Sequence, residues 1–238
     1  MSSLIIVESE NDKYFIEAFL DKLNLDNVEV GKPICEVNDF DCLGGEKNLE
    51  PRLESLKLDR YDKIGIILDA DDKGTEKRIE FINQALKSSC DDIELTQINK
   101  FEKSKTLELE IACYIMNIDD KGELETVMRV VKSKDSLYAD CLDAWRECLK
   151  KQEIEVKQKE FDKIWVSHYL KYDTCISSKH KRKKTKYCAN ELINNTENDE
   201  DIQNNLKSTK ETLQKDIWNF EHTVLEQLKE FLFLFSKS

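Results

Sequence analysis

Short continuous apolar runs are typical of the first half of this chain, and a helical repeat is typical of the second half. The runs at residues 4–7 and 64–68 hold no polar side chain. Such runs predict strands that are buried on both faces, as in a parallel sheet. Further strand-like runs lie at residues 93–98 and 109–116. We therefore predict at least four strands.

Elsewhere apolar residues recur every three or four positions, which predicts helices with one buried face. In the first half we place them at about residues 13–23, 46–58 and 75–87, with another beginning near residue 123. Strands that alternate with helices indicate an α/β fold, with a parallel sheet and crossover helices. Beyond residue 133 we find no convincing strand and predict helices at about residues 136–151, 156–171, 182–194 and 202–235. The predicted domains are an α/β domain over residues 1–131 and an α-helical C-terminal extension over residues 132–238, which packs on or beside it.

Composition narrows the class of protein. With 238 residues, 39% of them hydrophobic, the chain has enough apolar residues for a core, and its six glycines and two prolines disfavour an all-β fold. The net charge of −12 disfavours indiscriminate binding of nucleic acid. Eight cysteines without a CxxC pair argue against a zinc ribbon or a thioredoxin-like motif. We expect a cytoplasmic protein with reduced thiols, with Cys113 and Cys141 in the core, because no signal peptide and no apolar stretch of about 18 residues is found.

Acidic residues follow two of the predicted strands. Glu8 ends the first apolar run, and Asp69 and Asp71 follow the second. The carboxyl ends of parallel strands share one edge of a sheet, so these carboxylates are expected to converge there. Converging carboxylates repel one another unless a cation binds them, and Mg²⁺ prefers oxygen ligands. We therefore predict a divalent-metal site, although an acidic turn alone also fits the two aspartates. Asn11 or Asp12 is placed to cap the helix that follows Glu8.

A basic segment interrupts the acidic second half. Six of the eight residues at 179–186 are Lys or Arg, a local positive charge that suits phosphate groups. A solvated start of a helix is the alternative interpretation, because charge runs are common on protein surfaces. The candidate nucleic-acid contacts are Lys181, Arg182, Lys183, Lys184 and Lys186.

The order of these motifs resembles a known family. Val7-Glu8 followed by Asp12, then Leu43-Gly44-Gly45, then Asp69-Ala70-Asp71, is similar to the Toprim domain of topoisomerases, primases, a ribosomal-RNA maturase and the OLD-type nucleases. The resemblance covers roughly residues 1–131 and is closest to the stand-alone and OLD-like proteins. The segment 111–128 is similar to the third acidic element of those proteins. Family members usually carry Gly directly after the Glu, and this chain has Ser9.

The resemblance implies a Toprim-like sheet and an Mg²⁺- or Mn²⁺-dependent nuclease with one or two ions, which hydrolyses phosphodiester bonds of DNA or RNA. It also implies an ATPase partner in phage defence. Topoisomerase and primase activities are disfavoured because the chain lacks the extra domains. Carried over to this sequence, the resemblance implies that Glu8 is a general acid/base or a metal ligand. It implies that Asp12, Asp69 and Asp71 are further metal ligands and that Glu123 or Glu125 binds a second metal. The implied catalytic lysine is Lys184, with Lys183 and Lys186 as rivals.

A second hypothesis comes from a different class of protein. In it the Toprim-like sheet is a catalytically inactive scaffold, and the terminal helices bind another protein. Ser9 and the net charge of −12 favour this alternative. A phosphatase that uses the same pair of aspartates is disfavoured, because residues 70–74, which follow Asp69, include no hydroxyl residue. The choice between DNA and RNA, and the oligomeric state, stay open.

Overall fold

A five-stranded sheet forms the centre of the fold. The computed structural model describes residues 3–34, 48–56, 58–174 and 217–236. Within these residues the strand order is β2-β1-β3-β5-β4, and only β4 is antiparallel to its neighbour. The strands are β1 (Ser3–Ile6), β2 (Val28–Val30), β3 (Lys63–Asp69), β4 (Glu102–Lys103) and β5 (Glu110–Met116).

Helices alternate with the strands and then dominate the described residues after β5. Single turns of 3-10 helix occur at Leu58–Arg60 and Thr223–Leu225, and a π-helix at Tyr169–Asp173. The predicted α/β class, with a mostly parallel sheet followed by C-terminal helices, is confirmed. The helices are α1 (Glu10–Leu23), α2 (Leu49–Ser55), α3 (Thr75–Leu86), α4 (Leu124–Val130), α5 (Leu137–Lys150), α6 (Gln158–His168) and α7 (Glu226–Phe233).

The strand order reverses between β1 and β3. From β1 the chain passes through α1 to β2 on one side, whereas from β3 it passes through α3 to β5 on the other side. Right-handed crossovers in opposite directions place α1 and α3 on opposite faces of the sheet. The carboxyl ends of β1 and β3 therefore flank the crevice at which open α/β sheets bind their ligands.

Apolar side chains cover both faces of the sheet. On one face Ile66 and Cys113 belong to a buried cluster that includes Leu53 of α2 and Ile82 of α3. On the other face Tyr114 packs against Phe231 of α7, with ring centroids 5.8 Å apart. Burial on both faces explains why β1, β3 and β5 are recognisable as unbroken apolar runs.

The predicted strand at residues 93–98 is wrong. Ile93 and Leu95 are buried, as the pattern required, but these residues pair with no neighbouring strand. Instead the Leu95 N–H donates to Asn83 Oδ1 (2.8 Å), and the Asn83 side-chain amide donates to the Leu95 carbonyl (2.8 Å). A side-chain amide thus satisfies the backbone groups that a ladder would have used, and the edge strand forms at β4.

The chain divides into two compact units. One consists of Met1–Leu124 and Phe220–Ser238, and the other of Glu125–Asn219. The predicted domains over residues 1–131 and 132–238 stay a prediction, and these two units have other bounds. The boundary lies at residue 124, and the C-terminal segment with α7 belongs to the unit that contains the sheet. α7 packs on β3 and β5, so this part of the predicted extension completes the sheet's core.

The predicted long helix over residues 202–235 is wrong in its described part. Trp218 forms an isolated antiparallel bridge with Lys132, and the Asn219 N–H donates to the Val131 carbonyl (2.6 Å). The α-helix starts only at Glu226. Ile217, one of the apolar positions on which the helix was predicted, is buried in a turn, and its carbonyl accepts the Ser133 N–H (2.9 Å). The predicted helix at 182–194 lies outside the described residues.

Two further sequence expectations have different outcomes. Cys113 is buried as expected, whereas Cys141 is exposed on α5, so its predicted core position is wrong. α5 buries only Ala139 and shows most of its apolar stripe to the surface, among the described residues. Within the described part of the chain, every helix is too short or too polar to cross a lipid bilayer.

Candidate active site at the carboxyl edge of the sheet

Glu8 lies just beyond the end of β1. Ile6 of β1 pairs with Ile66 of β3, so continuing the register places Glu8 level with Leu68, one residue before Asp69. Glu8 is half-buried, and the Val7 carbonyl next to it accepts the Ile34 N–H (2.9 Å). The parallel pairing of β1 and β3 therefore brings Glu8 and Asp69 to the same edge, as the sequence predicts.

Asp69 is the last residue of β3 and is buried. Its Oδ1 atom accepts a hydrogen bond from the Leu124 backbone N–H (3.0 Å). Leu124 begins α4, so this bond fixes the segment that follows β5 against the end of β3. A carboxylate held by a backbone N–H has a fixed orientation, which is a requirement for a precise binding site.

Asp71 is held at the same edge by its backbone. Its N–H and carbonyl both bond Gly122, each at 2.9 Å, and its φ of +49° ends the strand alternation. Its side chain forms an ion pair in which Arg78 Nη2 donates to Asp71 Oδ2. The two predicted metal ligands Asp69 and Asp71 thus have different surroundings: a backbone donor for the first, a guanidinium for the second.

A tight turn at residues 118–121 supports the edge. Asp119 and Asp120 have φ values of +53° and +66°, and Ile118 and Lys121 exchange backbone hydrogen bonds of 2.7 and 3.2 Å. Two successive positive φ values are typical of a type I′ hairpin turn. Asp120 Oδ1 also accepts the Thr75 N–H (2.7 Å), and hydrogen bonds from Thr75 lower the pKa of Asp120. The turn is thereby connected to the start of α3.

Glu123 lies between the two residues that bond the aspartates. Gly122 pairs with Asp71, and Leu124 donates to Asp69. The Glu123 side chain is only 3% exposed, whereas that of Glu125 is half-buried on the first turn of α4. Of the two acids that the sequence left open, Glu123 is the one bracketed by contacts to both aspartates.

Asp12 serves as part of a helix cap. Ser9 is the N-cap of α1, and its Oγ accepts the Asp12 N–H (3.3 Å). Asp12 Oδ2 in turn accepts the Ser9 N–H (2.8 Å) and the Ser9 hydroxyl (2.6 Å). The prediction that Asn11 or Asp12 is the cap is therefore wrong by two or three positions. Ser9, which departs from the Toprim pattern, completes a capping box.

The donor set suits Mg²⁺ in its chemistry. Carboxylate oxygens are hard ligands, and Mg²⁺ is usually bound through one or two protein carboxylates, with water and substrate phosphate completing its shell. Within the described ranges, no group of three or more His, Cys, Asp or Glu side chains is arranged to hold a metal ion. The residues fit a site with one or two protein carboxylates, and the metal site itself stays a prediction.

Two predicted elements of the site lie outside the described residues. They are the Gly44-Gly45 turn and the whole basic segment, with Lys181, Arg182, Lys183, Lys184 and Lys186. The lysine candidates for catalysis and the nucleic-acid contacts therefore stay predictions from the sequence.

Arg78 is not among the residues that the sequence predicts for this site. Its side chain is 1% exposed, on the first turns of α3, next to the Asp69–Asp71 segment. The sequence does contain an indication of its role. Arg78 shares the helical spacing of Ile82 and Ala85, so the buried face of α3 includes a cation. A buried cation requires a carboxylate nearby, and the acidic residues at 69–72 precede it.

Comparisons with known proteins identify the family of this chain but assign no activity to it. Neither the comparison with curated proteins nor the comparison with solved structures found a match. One family model matches residues 2–235, nearly the whole chain. The chain belongs to the family described as "Protein of unknown function (DUF3226)".

Proposed function

We propose that this chain is a divalent-metal-dependent nuclease of the OLD-like Toprim class, which hydrolyses phosphodiester bonds of DNA or RNA. The observation that carries the proposal is the position of the acids. Glu8 lies just after β1 and Asp69 ends β3, and the strand order reverses between these two strands. Ligands of open α/β sheets bind at this crevice. Asp71 and Glu123 lie at the same edge, through the contacts of residues 122–124.

Each acid has a proposed role. Asp69 and Asp71 would hold one Mg²⁺ or Mn²⁺ ion, Glu123 would contribute to a second metal site, and Glu8 would act as the general acid/base or as a ligand. A bound ion of this kind activates water and stabilises the leaving oxygen in phosphodiester hydrolysis. The chain's own contribution is orientation: the Leu124 N–H holds Asp69, and the backbone of Gly122 holds Asp71. Lys184 offsets negative charge on the phosphate, with Lys183 and Lys186 as alternatives.

The proposed surroundings are cytoplasmic, with an ATPase partner in phage defence. The net charge of −12 supports a subunit that obtains part of its nucleic-acid affinity from a partner. The basic segment at residues 179–186 is the proposed contact with phosphates.

The inactive interaction module remains the second candidate, and three observations favour it. Asp12 is engaged in the capping box, Asp71 is paired with Arg78, and the described residues contain no group of three potential ligands. A site whose acids have structural partners is what a scaffold that has lost catalysis would retain.

A cleavage assay separates the two candidates. The purified chain, alone and with a candidate ATPase, is incubated with labelled single- and double-stranded DNA and RNA in Mg²⁺, Mn²⁺ or EDTA. The nuclease proposal predicts cleavage that requires metal and is lost in Glu8→Gln and in Asp69→Asn. Asp72→Asn is the matched control, because Asp72 is exposed, lies next to the pair and gives the same change of charge. If no nucleic acid is cut under any of these conditions, the interaction module replaces the nuclease.

A further inference from the structure

Arg78 introduces a positive charge into the group of acids. Its side chain is 1% exposed, and its guanidinium forms the ion pair with Asp71, whose side chain is 23% exposed. Removing a buried arginine from water is costly unless a carboxylate compensates it. The pair therefore has one fixed member, Arg78, and one member that reaches the surface, Asp71.

Backbone geometry sets both ends of this pair. The N–H groups of Lys73 and Gly74 bond the Ala70 carbonyl (3.0 and 3.2 Å), and the Arg78 N–H bonds the Gly74 carbonyl (3.2 Å). This turn leads α3 back towards the end of β3. Asp71 is held on its other side by the two backbone bonds to Gly122. The main chain therefore brings the guanidinium and the carboxylate together.

Such a pair has a direct consequence for a cation at this edge. Arg78 engages Oδ2, one of the two oxygens that Asp71 can offer, and its charge repels a second cation nearby. We propose that Arg78 acts as an internal counter-ion: it neutralises Asp71 in the metal-free protein and keeps divalent-metal affinity low. This inference rests on the proposed function, because it takes Asp71 to be a metal ligand. Metal binding then requires that Asp71 be shared between Arg78 and the ion.

The sign of the expected effect distinguishes this role from a purely structural one. If Arg78 only held Asp71 in place, its loss would weaken metal binding. If it competes, loss of its charge strengthens binding by roughly tenfold or more, the size of the repulsion between a unit charge and a divalent ion about 6 Å apart even at the dielectric of water. Arg78→Gln removes the charge and keeps an amide donor for Asp71. Arg78→Lys keeps the charge, so its metal affinity should stay within about threefold of wild type.

The test is a Mn²⁺ titration of the full chain at constant ionic strength, with free Mn²⁺ measured by electron paramagnetic resonance. Circular dichroism verifies that each variant is folded. The expected result is tighter Mn²⁺ binding by Arg78→Gln and near wild-type binding by Arg78→Lys. Lys77→Met is the control for charge, because Lys77 is an exposed neighbour on α3. Equal or weaker binding by folded Arg78→Gln overturns the counter-ion role.

A second readout uses the wild-type protein, in case Arg78→Gln does not fold. Mg²⁺ is titrated into protein labelled with ¹⁵N at arginine, and the guanidinium signal that is absent or displaced in Arg78→Lys is assigned to Arg78. That signal should shift as Mg²⁺ binds, and an unchanged signal overturns the inference. If wild type and every variant bind no Mn²⁺, both the inference and the metal-dependent function fail. If wild type binds, Asp69→Asn does not, and Arg78→Gln equals wild type, only the inference fails.

Discussion

Gly65, in the middle of β3, is the position where a single methyl group tests the packing of α7 on the sheet. A Cβ atom at this position would lie 2.7 Å from Cζ of Phe235 and 2.9 Å from Cζ of Phe231. Both rings are fully buried and pack edge to face, with centroids 5.4 Å apart. The rings therefore have little room to move, and Gly65→Ala forces α7 away from β3.

The magnitude follows from two opposing effects. Overpacking a well-filled core costs about 1–3 kcal/mol. Replacing Gly by Ala in an extended strand returns about 0.4–1 kcal/mol, because the unfolded chain loses freedom. Overpacking dominates, and we expect a net loss of about 1–2 kcal/mol. At about 2–4 °C per kcal/mol for a chain of this size, the apparent melting temperature should fall by about 2–8 °C.

Thermal unfolding followed by circular dichroism measures this shift. Gly31→Ala is the matched control, because the nearest atom there is a Leu4 methyl group at 3.0 Å, at the flexible end of a side chain. Gly65→Ala combined with Phe235→Leu should recover part of the lost stability, since the smaller side chain frees the space. A Gly65→Ala variant as stable as wild type would show that the two rings do not pack on β3.

Three shorter predictions concern other contacts. Desolvation raises the pKa of Asp92, but hydrogen bonds from neighbouring hydroxyl and backbone N–H groups outweigh it and lower this pKa to about 2. The ionised Asp92 side chain therefore stabilises the fold fully above about pH 4, and this contribution is lost as the pH falls through 2. Urea titrations at several pH values should show that the free energy of unfolding falls less between these pH values for Asp92→Asn than for wild type. Tyr169→Phe removes a buried hydroxyl that donates to the Ile217 carbonyl (3.0 Å) and accepts the Lys134 N–H (3.1 Å), so the free energy of unfolding should fall by about 1–3 kcal/mol. Tyr172 is half-buried, and Tyr172→Phe should change this free energy by no more than about 0.5 kcal/mol. A larger effect at Tyr172 than at Tyr169 would contradict the importance of the buried hydroxyl. Gly74→Ala combines a φ of +83° with a Cβ 2.6 Å from an oxygen of Asp120, so its melting temperature should fall more than that of Asp120→Asn, and the reverse order would refute the steric explanation.

The sequence predicted the centre of the sheet because its strands are buried on both faces. β1, β3 and β5 are read directly from unbroken apolar runs, and their parallel pairing brings the acids after β1 and β3 to one edge. The spacing of apolar residues predicted the wrong element where a buried residue makes its backbone hydrogen bonds outside a sheet or helix. Leu95 is buried like a strand residue, but Asn83 binds its backbone. Ile217 is buried like a helix residue, but it lies in a turn and its carbonyl accepts the Ser133 N–H.

The surroundings of the candidate site were less predictable than its members. Ser9 departs from the Toprim pattern in sequence, and its role as N-cap depends on the direction in which the chain leaves β1. Arg78 lies outside the acidic motifs, and its ion pair depends on the turn that leads into α3. Both contacts are set by backbone turns, which residue types alone specify poorly.

The most direct measurement is the rate of metal-dependent nucleic-acid cleavage by Asp69→Asn compared with Asp72→Asn. Asp69 is buried and fixed by the Leu124 N–H at the edge between β1 and β3, whereas Asp72 is exposed three residues later. If Asp69 binds the catalytic ion, its substitution should lower the rate by at least about a hundredfold, the equivalent of several kcal/mol of lost transition-state stabilisation. Asp72→Asn should retain the wild-type rate. Equal rates for the two variants, or cleavage that persists in EDTA, would contradict a metal-dependent active site at this edge of the sheet.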